Sequence, residues 1–233
     1  MNLDCYEPCP VSSTKSAVFT LPDEVYWQGK GDIQLRALAV NGYGSDLSAA
    51  ISLAVEAARK SPCQKSKRGA VAFARRTMFR APDPVGRVMT VFQSGHNHPV
   101  SPLTCTSSEQ CKAACRHLCD HAEAIAVSKW LTAYGAGEQG PALFDVVHIE
   151  LRPNNAGVWE PVSFDREGQP KGPSCITCAR DLLRAEARLV WLWGVDGWRW
   201  WYAQDFFRDT LEELKLVDAS MLPPRIAGPR STP

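Results

Sequence analysis

Two short segments of this 233-residue chain hold the residue types of a catalytic zinc site. The first contains His121 and Glu123, and the second contains Cys175 and Cys178 at the start of a helical pattern. One imidazole and two thiolates supply three of the four ligands that tetrahedral zinc prefers, which leaves the fourth position for water. A glutamate beside that water can carry a proton. This combination predicts zinc-assisted hydrolysis, of the kind that removes an amino group from a nucleobase.

Each half of the pattern has a simpler explanation when it is taken alone. Asp120 is a favoured N-cap residue, and together with Glu123 it matches a capping box, in which the glutamate only satisfies a backbone N–H group. The two cysteines could be packed in a core or could form a redox pair of the thioredoxin type. The ordered combination, with a strand between its halves, is far more specific than either half. We therefore interpret it as one metal site.

These residues give the chain a family resemblance that covers roughly residues 45–215. The motifs that carry it are His121-Ala122-Glu123 and Cys175-Ile176-Thr177-Cys178. With them the chain resembles the zinc-dependent cytidine and deoxycytidylate deaminase superfamily. One departure is Ser174, which directly precedes the first cysteine where the family usually has proline.

The resemblance implies a hydrolase with a three-layer α/β/α fold around a mixed sheet of about five strands. It assigns the zinc to His121, Cys175 and Cys178, and makes Glu123 first the general base and then the general acid. The implied substrate is a cytosine-type nucleotide or nucleoside, similar to CMP or dCMP, which releases ammonia. Relatives usually self-associate, so a homo-oligomer is implied as well.

A Gly-x-Asn turn follows the second predicted strand, and its asparagine is Asn97. In related enzymes such an asparagine holds the sugar or base, so the resemblance makes Asn97 a candidate substrate contact. The alternative is an asparagine that occupies a Gly/Pro turn for backbone reasons alone.

Four further cysteines precede His121 in the spacing C-x5-C-x3-C-x3-C; they are Cys105, Cys111, Cys115 and Cys119. If residues 109–119 are helical, the last three share one stripe. A second, structural zinc is one interpretation, with His117, His98 or Cys63 able to replace one of the cysteines. The other interpretations are packed thiols and disulfides.

Composition narrows the classes of partner. The net charge is +1, so the chain lacks the large positive charge that is typical of sequence-independent binding to nucleic acid. There is no apolar run of the ~20 residues that a membrane span needs, and the N-terminus lacks the order of a secretion signal. We therefore expect a cytoplasmic protein whose nine cysteines are thiols or metal ligands.

The apolar periodicity predicts helices over residues 46–59, 121–134, 175–187 and 202–214, and strands over 69–73, 88–92, 144–151 and 189–193. Helices that alternate with strands predict an α/β fold with a substantially parallel sheet. We expect an extension over residues 1–44, a deaminase domain over 45–216, and a disordered tail over 217–233.

Three other functions stay open at this point. An aromatic run over residues 197–202 could stack on bases, which would fit a deaminase that acts within single-stranded DNA or RNA, including tRNA adenosine. The same run could instead pack a terminal helix against the sheet. A non-catalytic binding module stabilised by zinc and a thiol oxidoreductase are the remaining alternatives.

Overall fold

The structure is a computed structural model that describes residues 43–80, 83–101, 103–106, 108–111, 118–135, 143–165, 174–195, 197–222, 224–226 and 230–231. The predicted N-terminal extension, except for its last two residues, lies outside this part of the chain. Cys115 and His117 lie outside it as well.

The described residues include four α-helices, a 3-10 turn and nine strands, and residues 109–111 are helical as well. The helices are α1 (Tyr43–Lys60), α2 (Ala122–Tyr134), α3 (Ile176–Arg184) and α4 (Ala203–Glu213), and the 3-10 turn is Ala219–Met221. The strands are β1 (Lys67–Arg80), β2 (Asp83–His96), β3 (His98–Pro99), β4 (Cys119–Asp120), β5 (Phe144–Pro153), β6 (Trp159–Val162), β7 (Ala187–Gly194), β8 (Gly197–Tyr202) and β9 (Arg230–Ser231).

One mixed sheet runs through the molecule in the order β2-β1-β5-β7-β8-β9, and β6 pairs with the end of β5. Five strands make its body, which confirms the α/β fold with a mixed central sheet of about five strands. The expectation of a substantially parallel sheet is wrong, because among the described pairs only β5 and β7 run parallel. The reason is that β1 and β2 form a hairpin, as do β7 and β8, and a hairpin connection makes its strands antiparallel.

Helices cover both faces of the sheet, as the three-layer architecture requires. One face packs against α1 through a core that includes Val71, Val147 and Trp191. The other face packs against α2, α3 and α4 through a core that includes Val146 and Val190. Because successive strand residues point to opposite faces, neighbours such as Val146 and Val147 enter different cores.

Two glycines let the helices approach the sheet closely. A Cβ on Gly69 would lie 2.0 Å from the carbonyl oxygen of Ala54 in α1. A Cβ on Gly95 would lie 2.4 Å from the carbonyl oxygen of Ala122, in the first turn of α2. The two glycines therefore set the positions of helices on opposite faces of the sheet.

The element boundaries depart from the predictions mainly at the ends. The hairpin strands β1 and β2 are 14 residues each, much longer than the predicted segments. Helix α3 ends at Arg184 rather than at residue 187, because Glu186 takes a left-handed φ of 59° that turns the chain into β7.

Part of the predicted tail contacts the domain. Arg230–Ser231 pairs with β8, and the backbone N–H of Ile226 donates to Asp205 Oδ1 at 2.9 Å. Gln204 Nε2 donates to the carbonyl oxygen of Pro224 at 2.9 Å. These residues belong to the sheet edge and to the flank of α4, and the domain boundaries at residues 45 and 216 stay predictions.

Candidate metal and catalytic site

Three ligand atoms from two distant segments meet at the N-termini of α2 and α3. His121 Nδ1 lies 3.1 Å from Cys178 Sγ and 3.2 Å from Cys175 Sγ. In the part of the chain that the structure describes, this is the one group of three or more potential metal ligands whose atoms all lie within 4.8 Å of one another. The structure therefore brings together the three residues that the sequence predicts as zinc ligands.

The starts of the two helices put these side chains in place. His121 is the N-cap of α2 and Cys175 is the N-cap of α3, and both have extended backbone angles. The sulfur of Cys175 accepts the backbone N–H of Cys178 at 3.4 Å. A helix N-terminus favours negative charge, so the backbone stabilises the thiolate form that a metal requires.

The prediction that Asp120 caps α2 is wrong. Asp120 belongs to β4, where it pairs with His98, so the chain is still extended at this residue and the helix begins one position later. Asp120 and Glu123 therefore form no capping box. As a result, a metal-ligand candidate itself occupies the N-cap, and Glu123 falls within the first turn, on the side of the site.

Glu123 lies beside the ligand group and is almost fully buried, with 3% exposure. Its Oε1 accepts from Ser174 Oγ at 3.4 Å and lies 3.5 Å from His148 Nδ1. Its Oε2 has no hydrogen-bond partner in the described structure. Ser174, which stands where the resembled family has proline, thus contacts the predicted proton carrier.

His148 and Arg68 also lie at the site, and the sequence analysis did not identify either of them as a site residue. Arg68 faces Glu150 across β1 and β5, and its guanidinium donates to Glu150 Oε2 at 3.3 Å. The pairing of β1 with β5 places Ala70 opposite His148. Ala70 packs in the core beneath α2, so this register puts Arg68, His148 and Glu150 on the face that carries Glu123. A single histidine within an apolar strand was the signal available in the sequence.

The charges around Glu123 favour its ionised form. Burial alone would raise the pKa of Glu123, but the positive charge contributed by His148 and Arg68 lowers it below its ordinary value. Burial lowers the pKa of His148 itself, although the Glu123 carboxylate opposes this. With its pKa lowered, Glu123 is ionised at neutral pH and is able to accept a proton.

The donor set fits zinc. The hydrogen bond from Cys178 lowers the pKa of Cys175 to about 5, and the same contact raises the pKa of Cys178 well above its ordinary value. The hydrogen bond to Cys175 raises the pKa of His121. The Cys175 thiolate is thus stabilised by hydrogen bonds from Cys178 and His121. A bound cation would take the place of these protons. Tetrahedral zinc would hold the nitrogen and each sulfur about 3.5 Å apart, within a few tenths of an ångström of the observed spacing.

Asn97 is buried, and both the oxygen and the nitrogen of its side-chain amide form hydrogen bonds with backbone groups. Its Oδ1 accepts the N–H of Arg68 at 2.6 Å, and its Nδ2 donates to the carbonyl oxygen of Ser66 at 3.1 Å. Ser61 Oγ donates to the carbonyl oxygen of Asn97 at 2.7 Å. These contacts fasten the chain that leads into β1, which is a backbone role. Contact with a substrate stays a prediction.

The structure places the additional cysteines differently from the predicted stripe. Cys111 is helical, whereas Cys119 is extended in β4, so a helical stripe that includes Cys119 is wrong. The sulfur of Cys105 lies 3.9 Å from that of Cys63 and 3.8 Å from that of Cys111. The predicted fourth member, Cys115, lies outside the described residues.

The aromatic run in β8 is divided between the two cores. Trp198 and Trp201 are buried, at 7% and 3% exposure. The ring of Trp201 meets that of Phe206 in α4 edge to face, with centroids 5.8 Å apart. The contact of Trp201 packs the terminal helix against the sheet, while Trp198 lies in the core on the α1 face, so neither tryptophan belongs to a base-stacking surface.

No protein-family model matches the sequence, and no curated protein matches it. Among the helices of the described residues, none has the length and apolarity of a membrane span. The geometry of the candidate site therefore carries the functional argument.

Proposed function

We propose that this protein is a zinc-dependent hydrolytic deaminase, related to the cytidine and deoxycytidylate deaminase superfamily. The proposal rests on the convergence of His121, Cys175 and Cys178 beside the buried carboxylate of Glu123. The three ligands are the donor set of a catalytic zinc with one open coordination position. A site that only stabilised the fold would have no use for a buried proton acceptor next to it.

His121, Cys175 and Cys178 would hold the ion, which when bound lowers the pKa of a water ligand toward neutrality. Glu123 would take the proton from that water and later return protons to the ring nitrogen and to the leaving ammonia. Oε2 is the oxygen available for this exchange, because Oε1 already contacts Ser174 and lies near His148. His148 and Arg68, which lower the pKa of Glu123, favour the ionised carboxylate between these steps.

The substrate we propose is a cytosine-type nucleotide or nucleoside, similar to CMP or dCMP. The near-zero net charge and the burial of Trp198 and Trp201 support a small substrate over a polynucleotide. A cytoplasmic location and self-association are parts of the same proposal, and the family resemblance supports self-association.

The proposal is tested by an ammonia-release screen of nucleosides, nucleotides and single-stranded oligonucleotides. The zinc-loaded chain should deaminate cytidine, CMP or dCMP. Glu123→Gln should retain its zinc while turnover falls by about 10²–10⁴-fold, because only the proton carrier is removed. Activity on oligonucleotides alone would overturn the substrate proposal, and nearly full activity of Glu123→Gln would overturn the mechanism.

Measurements of bound zinc and of thiol reactivity separate the two remaining alternatives. A binding module should bind zinc and release no ammonia from any substrate, with or without Glu123. A thiol oxidoreductase should form a reversible disulfide between Cys175 and Cys178 in the presence of zinc. Protection of both thiols from alkylation by bound zinc would exclude that function.

A further inference from the structure

Three cysteine sulfurs come together outside the site just described. Cys63 precedes β1, Cys105 follows β3, and Cys111 is a helical residue further along the chain. Cys105 occupies the middle of the group, at 3.9 Å from Cys63 and 3.8 Å from Cys111. Cys63 is buried at 2% exposure, and the other two are half-buried.

The spacing of these sulfurs is that of metal ligands. Four-coordinate zinc with bonds of about 2.3 Å holds two sulfurs about 3.8 Å apart, whereas a disulfide holds them at about 2.05 Å. Both separations from Cys105 match the first value, and all three residues are free thiols. The two outer sulfurs are not as close to each other, so binding would draw Cys63 and Cys111 inward around Cys105.

Hydrogen bonds from the surrounding chain hold the segments that carry these sulfurs. The backbone N–H of Gln64 donates to the sulfur of Cys105 at 3.4 Å, and that of Cys63 donates to Ser61 Oγ at 3.1 Å. The N–H of Cys111 donates to Ser108 Oγ at 3.1 Å. Donors around a ligand orient it and stabilise the thiolate. The cluster is therefore partly organised before any ion arrives.

We propose that Cys63, Cys105 and Cys111 supply three of the four ligands of a second, structural zinc ion. Thiolates are the ligands that select such a soft divalent cation. The ion would tie the segment before β1 to the segment after β3. Cys63 thus replaces one of the four predicted cysteines, which is one of the replacements that the sequence pattern left open. This second site does not depend on the proposed deaminase activity.

The first test is zinc stoichiometry in the full chain, after loading with excess Zn²⁺ under a reductant and desalting. Wild type should retain two ions per chain, while Cys63→Ser and Cys175→Ser should each retain one. Ser101→Ala, in the exposed turn after β3, is the control and should retain two. A single ion in wild type that Cys63→Ser retains and Cys175→Ser loses would overturn the proposal. So would two ions in Cys63→Ser.

A second measurement uses the wild-type protein, so it holds even if Cys63→Ser fails to fold. Alkylation followed by mass spectrometry should find Cys105 and Cys111 protected in the zinc-loaded chain and reactive after chelation. Equal reactivity in both states, or a disulfide within the group under reductant, would overturn the site. Neither readout involves deamination, so failure here leaves the proposed function untouched, and the converse also holds.

Discussion

Glu123 keeps its negative charge in a place that water barely reaches. Such burial normally favours the protonated carboxyl group, yet the pKa of Glu123 is lowered because cationic groups lie close by. The residue types of the site could be predicted from the sequence, since His121 and Glu123 are two positions apart, and Cys175 and Cys178 are three positions apart, within one helical turn. Their neighbours His148 and Arg68 could not, because strand pairing alone brings them near.

His148 is predicted to position Glu123 without binding zinc. His148→Leu removes the imidazole that lies 3.5 Å from Oε1, so turnover should fall roughly 5–10-fold, as expected for one contact worth about 1 kcal/mol. The zinc content should stay that of wild type, and His148→Gln should recover part of the activity. Steady-state kinetics with metal analysis check this. Loss of zinc in His148→Leu, or unchanged turnover, would contradict the assignment.

At the scale of elements, the first turn of α2 rests on β2 at Gly95. Gly95→Ala would place a methyl group 2.4 Å from the carbonyl oxygen of Ala122, so the turn that follows His121 must shift. We expect a loss of stability of about 1–3 kcal/mol together with weaker zinc retention against a competing chelator.

Gly69→Ala is the matched control for this prediction. It crowds α1 on the opposite face, where its Cβ would lie 2.0 Å from the carbonyl oxygen of Ala54. It should reduce stability in thermal unfolding while leaving zinc retention unchanged, because α1 holds none of the three ligands. Equal weakening of zinc retention in both variants would show that α2 does not position the site in this way.

The segment after β6 is attached to the β7–β8 turn by Asp165. Its carboxylate accepts from Ser163 and from the backbone N–H of Val195 at 2.9 Å, and it pairs with Arg199 at 2.7 Å. Partial burial opposes ionisation, but the hydrogen bond from Ser163 and the other partners lower the pKa of Asp165 overall. The ionised form is therefore stabilised by folding.

This gives a pH-dependent prediction. The stabilisation by Asp165 is complete above the unfolded-state pKa of about 4, and is lost as the pH falls through the lower pKa of the folded state. Asp165→Asn should cost about 1 kcal/mol at pH 7 and progressively less below about pH 4. Denaturant unfolding across this range measures it, with the exposed Glu160→Gln as control. A difference that grows toward acid pH would contradict the prediction.

At the scale of the whole molecule, the C-terminal residues close one flank of the domain. Arg225 pairs with Asp209 at 2.8 Å and with Glu212 at 3.1 Å, and Ile226 binds the fully buried Asp205. The sequence predicts a disordered tail from its proline and glycine content. Composition cannot predict these contacts, because they depend on the position of α4 in the folded domain.

Deletion of residues 223–233 is therefore expected to destabilise the domain. Asp205 would lose a buried partner, which costs about 1–3 kcal/mol and should lower the melting temperature by roughly 2–10 °C. Ile226→Pro removes the same N–H donor and should reproduce part of the loss. Calorimetry checks both variants, and zinc content should not change in either. An unchanged melting temperature in the deletion would show that these contacts contribute nothing.

The sequence by itself determined the donors of the predicted zinc site, the proton carrier and the alternation of helices with strands, because these depend on residue type and on spacing within a few positions. Only the tertiary structure decided the orientation of the strands, the neighbours of Glu123 and the meeting of Cys63 with Cys105, which lie 42 positions apart. Such contacts depend on register and on the path of the chain. Local spacing contains no information about either.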